Sequence, residues 1–143
     1  METGFDHVGL SVTDIGSSER FYSQAFGFER EFAFELAPHP IRGLMLKHPA
    51  GFRLELFQHE RAGAGIQGSS PIEALATRGY GHFALCAGEI DALFTAALAV
   101  GATPVKEPGP SPEPGVRFAF VSDPEGNLIE LLDRPGPVGS AGS

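Results

Sequence analysis

The sequence contains one cysteine, Cys86, which excludes an intramolecular disulfide framework and fits a reducing compartment. It is also short of bases: 10 Lys and Arg stand against 18 Asp and Glu, and the net charge is −8. Phosphate binding needs clustered Lys and Arg, and no basic run is present, so a nucleic-acid partner is not expected. No apolar run is long enough to span a membrane, and no signal peptide is visible, so the expectation is a cytoplasmic protein with no membrane partner. With 143 residues, 42% hydrophobic and 20% charged, the chain has enough apolar surface for one domain with a real core.

What the chain does have is a repeat. Residues 4–12 read GFDHVGLSV and residues 79–87 read GYGHFALCA: glycine, aromatic, one residue, histidine, then small and apolar residues in alternation. The interval from His7 to Glu55 equals that from His82 to Glu130, and both glutamates sit in apolar stretches, FRLELF and NLIELL. Equal spacing in two halves indicates a duplicated supersecondary unit.

The periodicities fill in that unit. Residues 5–12 alternate as a half-buried strand, with Val8, Leu10 and Val12 opposite His7, Gly9 and Ser11. Thr13 or Asp14, or else Ser17 or Ser18, can cap a helix whose apolar stripe is Phe21, Tyr22, Ala25 and Phe26, with Gly27 as its stop. Strands follow at about 29–36, 41–48 and 51–58. The second half repeats the order: a strand at 81–87, a helix at 89–100 with Ile90, Leu93, Phe94 and Ala97 inward, Gly101 as its stop, and strands at 103–107, 116–121 and 127–132. Asp123-Pro124-Glu125-Gly126-Asn127 is a hairpin turn. Each half is therefore β-α-β-β-β, and two such units side by side can enclose a cup. The expected domain is 1–133, with module one at 4–58, a linker at 59–79 and module two at 80–133. In the linker, 62–70 is flexible in composition and 71–77 suits one or two helical turns; the tail 134–143 is expected to be flexible.

Alternation also decides which side chains could meet. Arg53, Glu55 and Phe57 share a strand face, as do Leu128, Glu130 and Leu132, and His82, Ala84 and Cys86. If the helices cover the apolar faces, His7, Glu55, His82 and Glu130 all point into the cup. Two imidazoles and two carboxylates suit a borderline divalent metal and leave octahedral positions open for substrate. The alternative is a His/Glu hydrogen-bond network without metal, which must hold two carboxylates together with no cation. Arg53 could recognise a substrate anion or form an ion pair with Glu55 or another acid. Phe57, Leu128 and Leu132 could wall a pocket or belong to the core. Cys86 could line the pocket or be a small core residue. His39, His48 and His59 lie in or beside turns and read as solvent-facing.

The stretches FDHVGLSVTD, RFYSQAFGFE, FRLELF, GYGHFALC and FVSDPEGNLIELLD resemble the vicinal oxygen chelate superfamily, which includes glyoxalase I, extradiol dioxygenases, methylmalonyl-CoA epimerase and fosfomycin- and bleomycin-resistance proteins. The resemblance implies an α+β fold of two tandem βαβββ modules, forming an open eight-stranded cup with helices outside. It implies one divalent transition metal (Ni, Co, Zn, Mn or Fe) on His7, Glu55, His82 and Glu130. A His/Glu/His/Glu set is similar to that of bacterial glyoxalase I. That implies a lyase or isomerase that chelates vicinal oxygens of a small substrate and passes a proton through an enediolate, with Glu130 and Glu55 as the catalytic carboxylates. The alternatives are an Fe(II) extradiol-type dioxygenase and a non-enzymatic drug- or metabolite-binding resistance protein. The resemblance also implies a homodimer acting on a small molecule.

Overall fold

Two residues set the start of the first helix. The Asp14 carboxylate accepts from the Ser17 N–H at 3.1 Å, and the Gln58 side-chain carbonyl accepts from the Ile15 N–H at 2.8 Å. Two of the helix's orphan donors are thereby satisfied, one locally and one from a distant strand end. Gly27, at φ 77°, ends the helix in the left-handed conformation, its N–H donating to the Ser23 carbonyl at 3.0 Å.

The computed structural model describes residues 1–65 and 70–135. Parts of the expected linker and tail, 66–69 and 136–143, lie outside the described residues. The chain divides into two compact units, Met1–Ala64 and Gly65–Ser143.

The first unit runs β1 (His7–Val12), α1 (Ile15–Phe26), β2 (Glu29–Glu35), β3 (Ile41–Lys47) and β4 (Arg53–His59), with sheet order β1-β4-β3-β2. β1 pairs with β4 in parallel and the other neighbours are antiparallel. Joining two parallel neighbours requires a crossover, and α1 lies in it and covers one sheet face. Leu54 and Leu56 are wholly buried there with Leu44, Leu46, Phe21, Tyr22 and Phe28. Burial of each such side chain contributes about 1.5–3 kcal/mol. Since strand neighbours alternate, Arg53, Glu55 and Phe57 are held on the opposite face.

The second unit runs α2 (Pro71–Ala74), β5 (His82–Cys86), α3 (Ile90–Ala99), β6 (Thr103–Pro110), β7 (Arg117–Ser122) and β8 (Leu128–Asp133), with order β5-β8-β7-β6 and the same parallel pairing of first and last strands. Ile90, Ala97, Ala119, Val121, Ile129 and Leu131 form its buried side. The turn before β8 is built on Asp123, 2% exposed. Its carboxylate accepts from the Glu125 and Asn127 N–H groups at 2.9 and 2.8 Å and from the Asn127 side-chain amide at 2.9 Å, and Gly126 supplies φ 90°. β6 extends beyond the expected 103–107 to Pro110 through two register shifts. It is an edge strand, where prolines at 104, 108 and 110 cost no interior ladder bonds.

Each half is thus β-α-β-β-β in an α+β fold, as the sequence indicates. Among the described residues, no helix is long and apolar enough to cross a membrane.

Candidate metal centre

The parallel register of β1 on β4 sets Gly9 opposite Glu55 and His7 opposite Arg53. Glu55 is therefore diagonal to His7 on the shared face, and the His7 Nε2 lies 3.3 Å from the Glu55 Oε1. In the second unit Ala84 sits opposite Glu130, His82 opposite Leu128, and the His82 Nε2 lies 3.1 Å from the Glu130 Oε2. The same diagonal is built twice from unrelated neighbours.

The pairs differ in what stands behind the imidazole. The Asp6 carboxylate lies 2.7 Å from the His7 Nδ1. That hydrogen bond raises the His7 pKa, against desolvation and with help from the Glu55 charge, and it lowers that of Asp6. When the His7 Nδ1–H donates to the Asp6 carboxylate, the Nε2 must either carry a second proton or turn a lone pair toward Glu55. A cation between the two satisfies the second arrangement. Gly81 precedes His82 where Asp6 precedes His7, and the His82 ring meets Phe120 edge-on at 5.0 Å and 80°.

The donor set fits a divalent transition ion. Neighbouring octahedral ligands about 2.1 Å from an ion are about 3.0 Å apart, close to both His–Glu separations. The donors are one neutral-capable imidazole and one carboxylate per pair, all partly solvent-accessible. Among the described residues no three His, Cys, Asp or Glu side chains are gathered around one point; the structure presents two His–Glu pairs, one in each unit.

The remaining sequence candidates are distributed as follows. Arg53 is held by Glu31, with Nε and Nη2 donating at 2.6 and 2.9 Å, so its acid is not Glu55. Phe57 stands on the Glu55 face in edge contact with Phe34 at 5.8 Å, and Phe34 lies so close over Gly43 that a Cβ there would be 2.2 Å from the ring. Leu128, 4% exposed, is packed with Ala74 of α2 and with Phe120, while Leu132 is half-buried. Cys86 corrects its reading as a core residue: it is exposed, because β5 is an edge strand and Cys86 shares the His82 face. His48 also departs from expectation. It is half-buried, stacked on Phe52 at 4.4 Å and against Phe28 at 5.3 Å, and its Nδ1 accepts from the Ala50 N–H. His59 is half-buried at the end of β4, its Nδ1 accepting from the Arg61 N–H, while His39 is exposed. The sequence reading missed Asp6, Phe34 with Gly43, and α2 over Leu128. An acid directly before a strand histidine was the available signal for Asp6.

The comparisons with known proteins agree with this fold. Residues 4–131 match the family model of the Glyoxalase/Bleomycin resistance protein/Dioxygenase superfamily. The chain is 40% identical over 131 residues to the "Probable lactoylglutathione lyase" of Vibrio cholerae, covering 90% of this chain and 88% of that protein. It is 29% identical over 138 residues to a lactoylglutathione lyase of Arabidopsis thaliana, covering 94% of this chain and 45% of that protein. The chain thus spans about half the length of the plant relatives it matches. Among solved structures, a glyoxylase/bleomycin resistance protein/dioxygenase domain from Frankia superposes with TM-score 0.76 at 18% identity, covering 97% of this chain and 96% of that one. A fosfomycin resistance protein from Listeria monocytogenes, solved with Mn(II), superposes with TM-score 0.69 at 20% identity, covering 94% and 93%. With two βαβββ halves and a family match along nearly the whole described chain, the protein belongs to the glyoxalase/bleomycin resistance/dioxygenase superfamily.

Proposed function

We propose that the His7–Glu55 and His82–Glu130 pairs supply the donors for a divalent transition metal, and that the protein is a glyoxalase I-type lyase or isomerase of a small molecule. The observation that carries the reading is the twice-built His–Glu diagonal, with facing donors 3.3 and 3.1 Å apart. Relatives named lactoylglutathione lyase, and a structural neighbour solved with Mn(II), support it. When bound, the metal supplies a Lewis acid for two adjacent substrate oxygens and makes the neighbouring C–H more acidic. Glu130 accepts the proton from one carbon and returns it to the next through an enediolate, with Glu55 as its symmetric partner. His7 and His82 stay in place as nitrogen donors, and Asp6 keeps the His7 ring oriented. Phe57 and Phe34 give the Glu55 face an apolar wall. The assembly proposed is a homodimer.

Elemental analysis of protein purified without chelators, beside His7→Ala and Glu130→Ala, tests the site. The expected result is about one transition metal per chain in the wild type and loss in both variants. Turnover of a hemithioacetal, lost in Glu130→Gln with metal retained, tests the role of the carboxylate. Oxygen uptake with catechols and ferrous iron would replace this reading with a dioxygenase. A wild type that takes up no Ni(II), Co(II), Zn(II), Mn(II) or Fe(II) would leave a binding protein.

A further inference from the structure

α2 lies on the same face of the second sheet as Glu130. Leu128 shares that strand face with Glu130, and Phe120 stands opposite Glu130 in the β7–β8 register. Ala74 of α2 packs on both Phe120 and Leu128, with Val105 and Phe118 at the margin. Phe120 and Leu128 are buried there, whereas Glu130 and Leu132 on the same face are half-buried. The covered spot adjoins His82: Phe120 meets the imidazole edge-on at 5.0 Å, and Leu128 is the register partner of His82.

The packing that holds α2 down is slight. α2 is a single turn, Pro71–Ala74, too short to persist without tertiary support. From Ile72 to Tyr80 every residue but Ala74 is exposed, with Ile72, Leu75 and Tyr80 at 77%, 69% and 99%. Its larger apolar side chains therefore add little to docking, and the side chain buried in this stretch is one methyl group. The N–H groups of Ala74, Leu75, Ala76 and Thr77 donate to the carbonyls of Ser70, Pro71, Glu73 and Ala74. Those bonds close the turn on itself and do not tie it to the sheet. Gly79, at φ 122°, and Gly81 give the chain toward β5 freedom to turn. A segment with so little burial opens at low cost.

We propose that α2 is a displaceable cover: in the free protein Ala74 occupies an apolar seat on Phe120 and Leu128, and a small apolar group of a ligand takes that seat when α2 lifts. The inference rests on the reading that the Glu130 face receives the substrate, and it adds that access to this face is set by an equilibrium within the chain. A ligand that binds only the open form shifts the chain toward it, and its apparent affinity is reduced by the fraction that is closed. Weakening α2 should therefore tighten binding, the reverse of what losing a contact does.

N-phenyl-1-naphthylamine, a neutral apolar fluorophore, is a suitable probe, titrated into the full-length protein without added metal and paired with backbone amide exchange. In the free protein the amides of Ala74, Leu75, Ala76 and Thr77 should exchange at least about 100-fold faster than those of β7 and β8, and faster still with the probe bound. Ser70→Ala removes the hydroxyl that accepts from the Glu73 N–H at 3.1 Å and should tighten probe binding about 5-fold. Ala74→Asp, whose carboxylate cannot occupy the seat, should tighten it at least about 10-fold, and Ile72→Ser on the exposed side should leave it unchanged. Probe binding that slows exchange at 74–77, that does not tighten in Ala74→Asp, or that is lost in Ile72→Ser would overturn the proposal. So would exchange at 74–77 as slow as in β7, deepening with protein concentration, the mark of a second copy lying over Ile72 and Leu75. Metal uptake is read apart from these: a chain that takes up metal but shows no tightening loses the cover alone, and one that takes up none but shows the tightening keeps it.

Discussion

The two halves of this chain build the same His–Glu diagonal on different cores. In the first unit α1 contributes Phe21, Tyr22 and Phe26, interlocked with each other and with Phe28 at ring separations of 5.1–6.2 Å. In the second, α3 buries Ile90, Phe94 and Ala97, with a single aromatic. The supports behind the histidines differ as well, a carboxylate for His7 and a phenyl ring for His82. What is common is the parallel pairing of first and last strands with one face covered. That pairing fixes which residues lie diagonally, whatever fills the core. The core sets how firmly the sheet is held; the register sets where the donors stand.

The comparison can be broken at the core first. Phe21→Ala should destabilise the first unit by about 3–5 kcal/mol, and Phe94→Ala in the second by less, since among the described residues its ring lacks the aromatic partners that add about 0.5–1.5 kcal/mol. Denaturant unfolding of both variants measures this; an equal or larger loss for Phe94→Ala would show that the aromatic cluster is not what distinguishes the cores. The next effect is on metal affinity. Asp6→Ala should weaken it about 10–100-fold by freeing the His7 ring, with Asp6→Asn falling between, as read by competition with a chelator indicator. Phe120→Leu, which removes the ring behind His82 but no hydrogen bond, should change it less. The smallest effect is electrostatic. Glu19, 2.7 Å from Arg30 through each of two hydrogen bonds, has its pKa lowered chiefly by that guanidinium, against desolvation. A lowered folded-state value means stability that is present above the ordinary carboxylate pKa and lost as pH falls through the folded one. Glu19→Gln should therefore flatten the fall in melting temperature below about pH 5, by a small amount because Arg30 is largely exposed. A melting profile parallel to that of the wild type would remove the pair from the account.

Most of the fold was legible because it is written in periods. Val8, Leu10 and Val12 alternate against His7, Gly9 and Ser11, and Leu54 and Leu56 alternate against Glu55, so the face of each donor follows from the pattern. The helix stripe of Phe21, Tyr22, Ala25 and Phe26 is buried as its spacing predicts, and Asp14 is the cap. What was not legible lies where the period breaks. Arg53 pairs with Glu31 because Glu31 falls in the register shift between Arg30 and Phe32 on β2, and a bulge leaves no mark in composition. Asp6 precedes the first strand, so alternation does not govern its direction and its side chain turns to the ring next to it. Leu128 reads as a wall from its strand alone; its cover is Ala74, on a short helix whose docking no local pattern encodes.

The strand order has a consequence for how the site comes apart. In both sheets the histidine strand is at the edge, hydrogen-bonded on one side only, whereas the glutamate strand is flanked on both. Edge strands open at lower cost than interior ones, so backbone amide exchange in β1 and β5 should run ahead of β4 and β8. Each His–Glu pair joins an imidazole on the strand that opens first to a carboxylate on one that opens only with the sheet. An ion bridging the two would act as a latch on the looser strand, and the slowing of β1 and β5 exchange on loading would measure how strongly it holds.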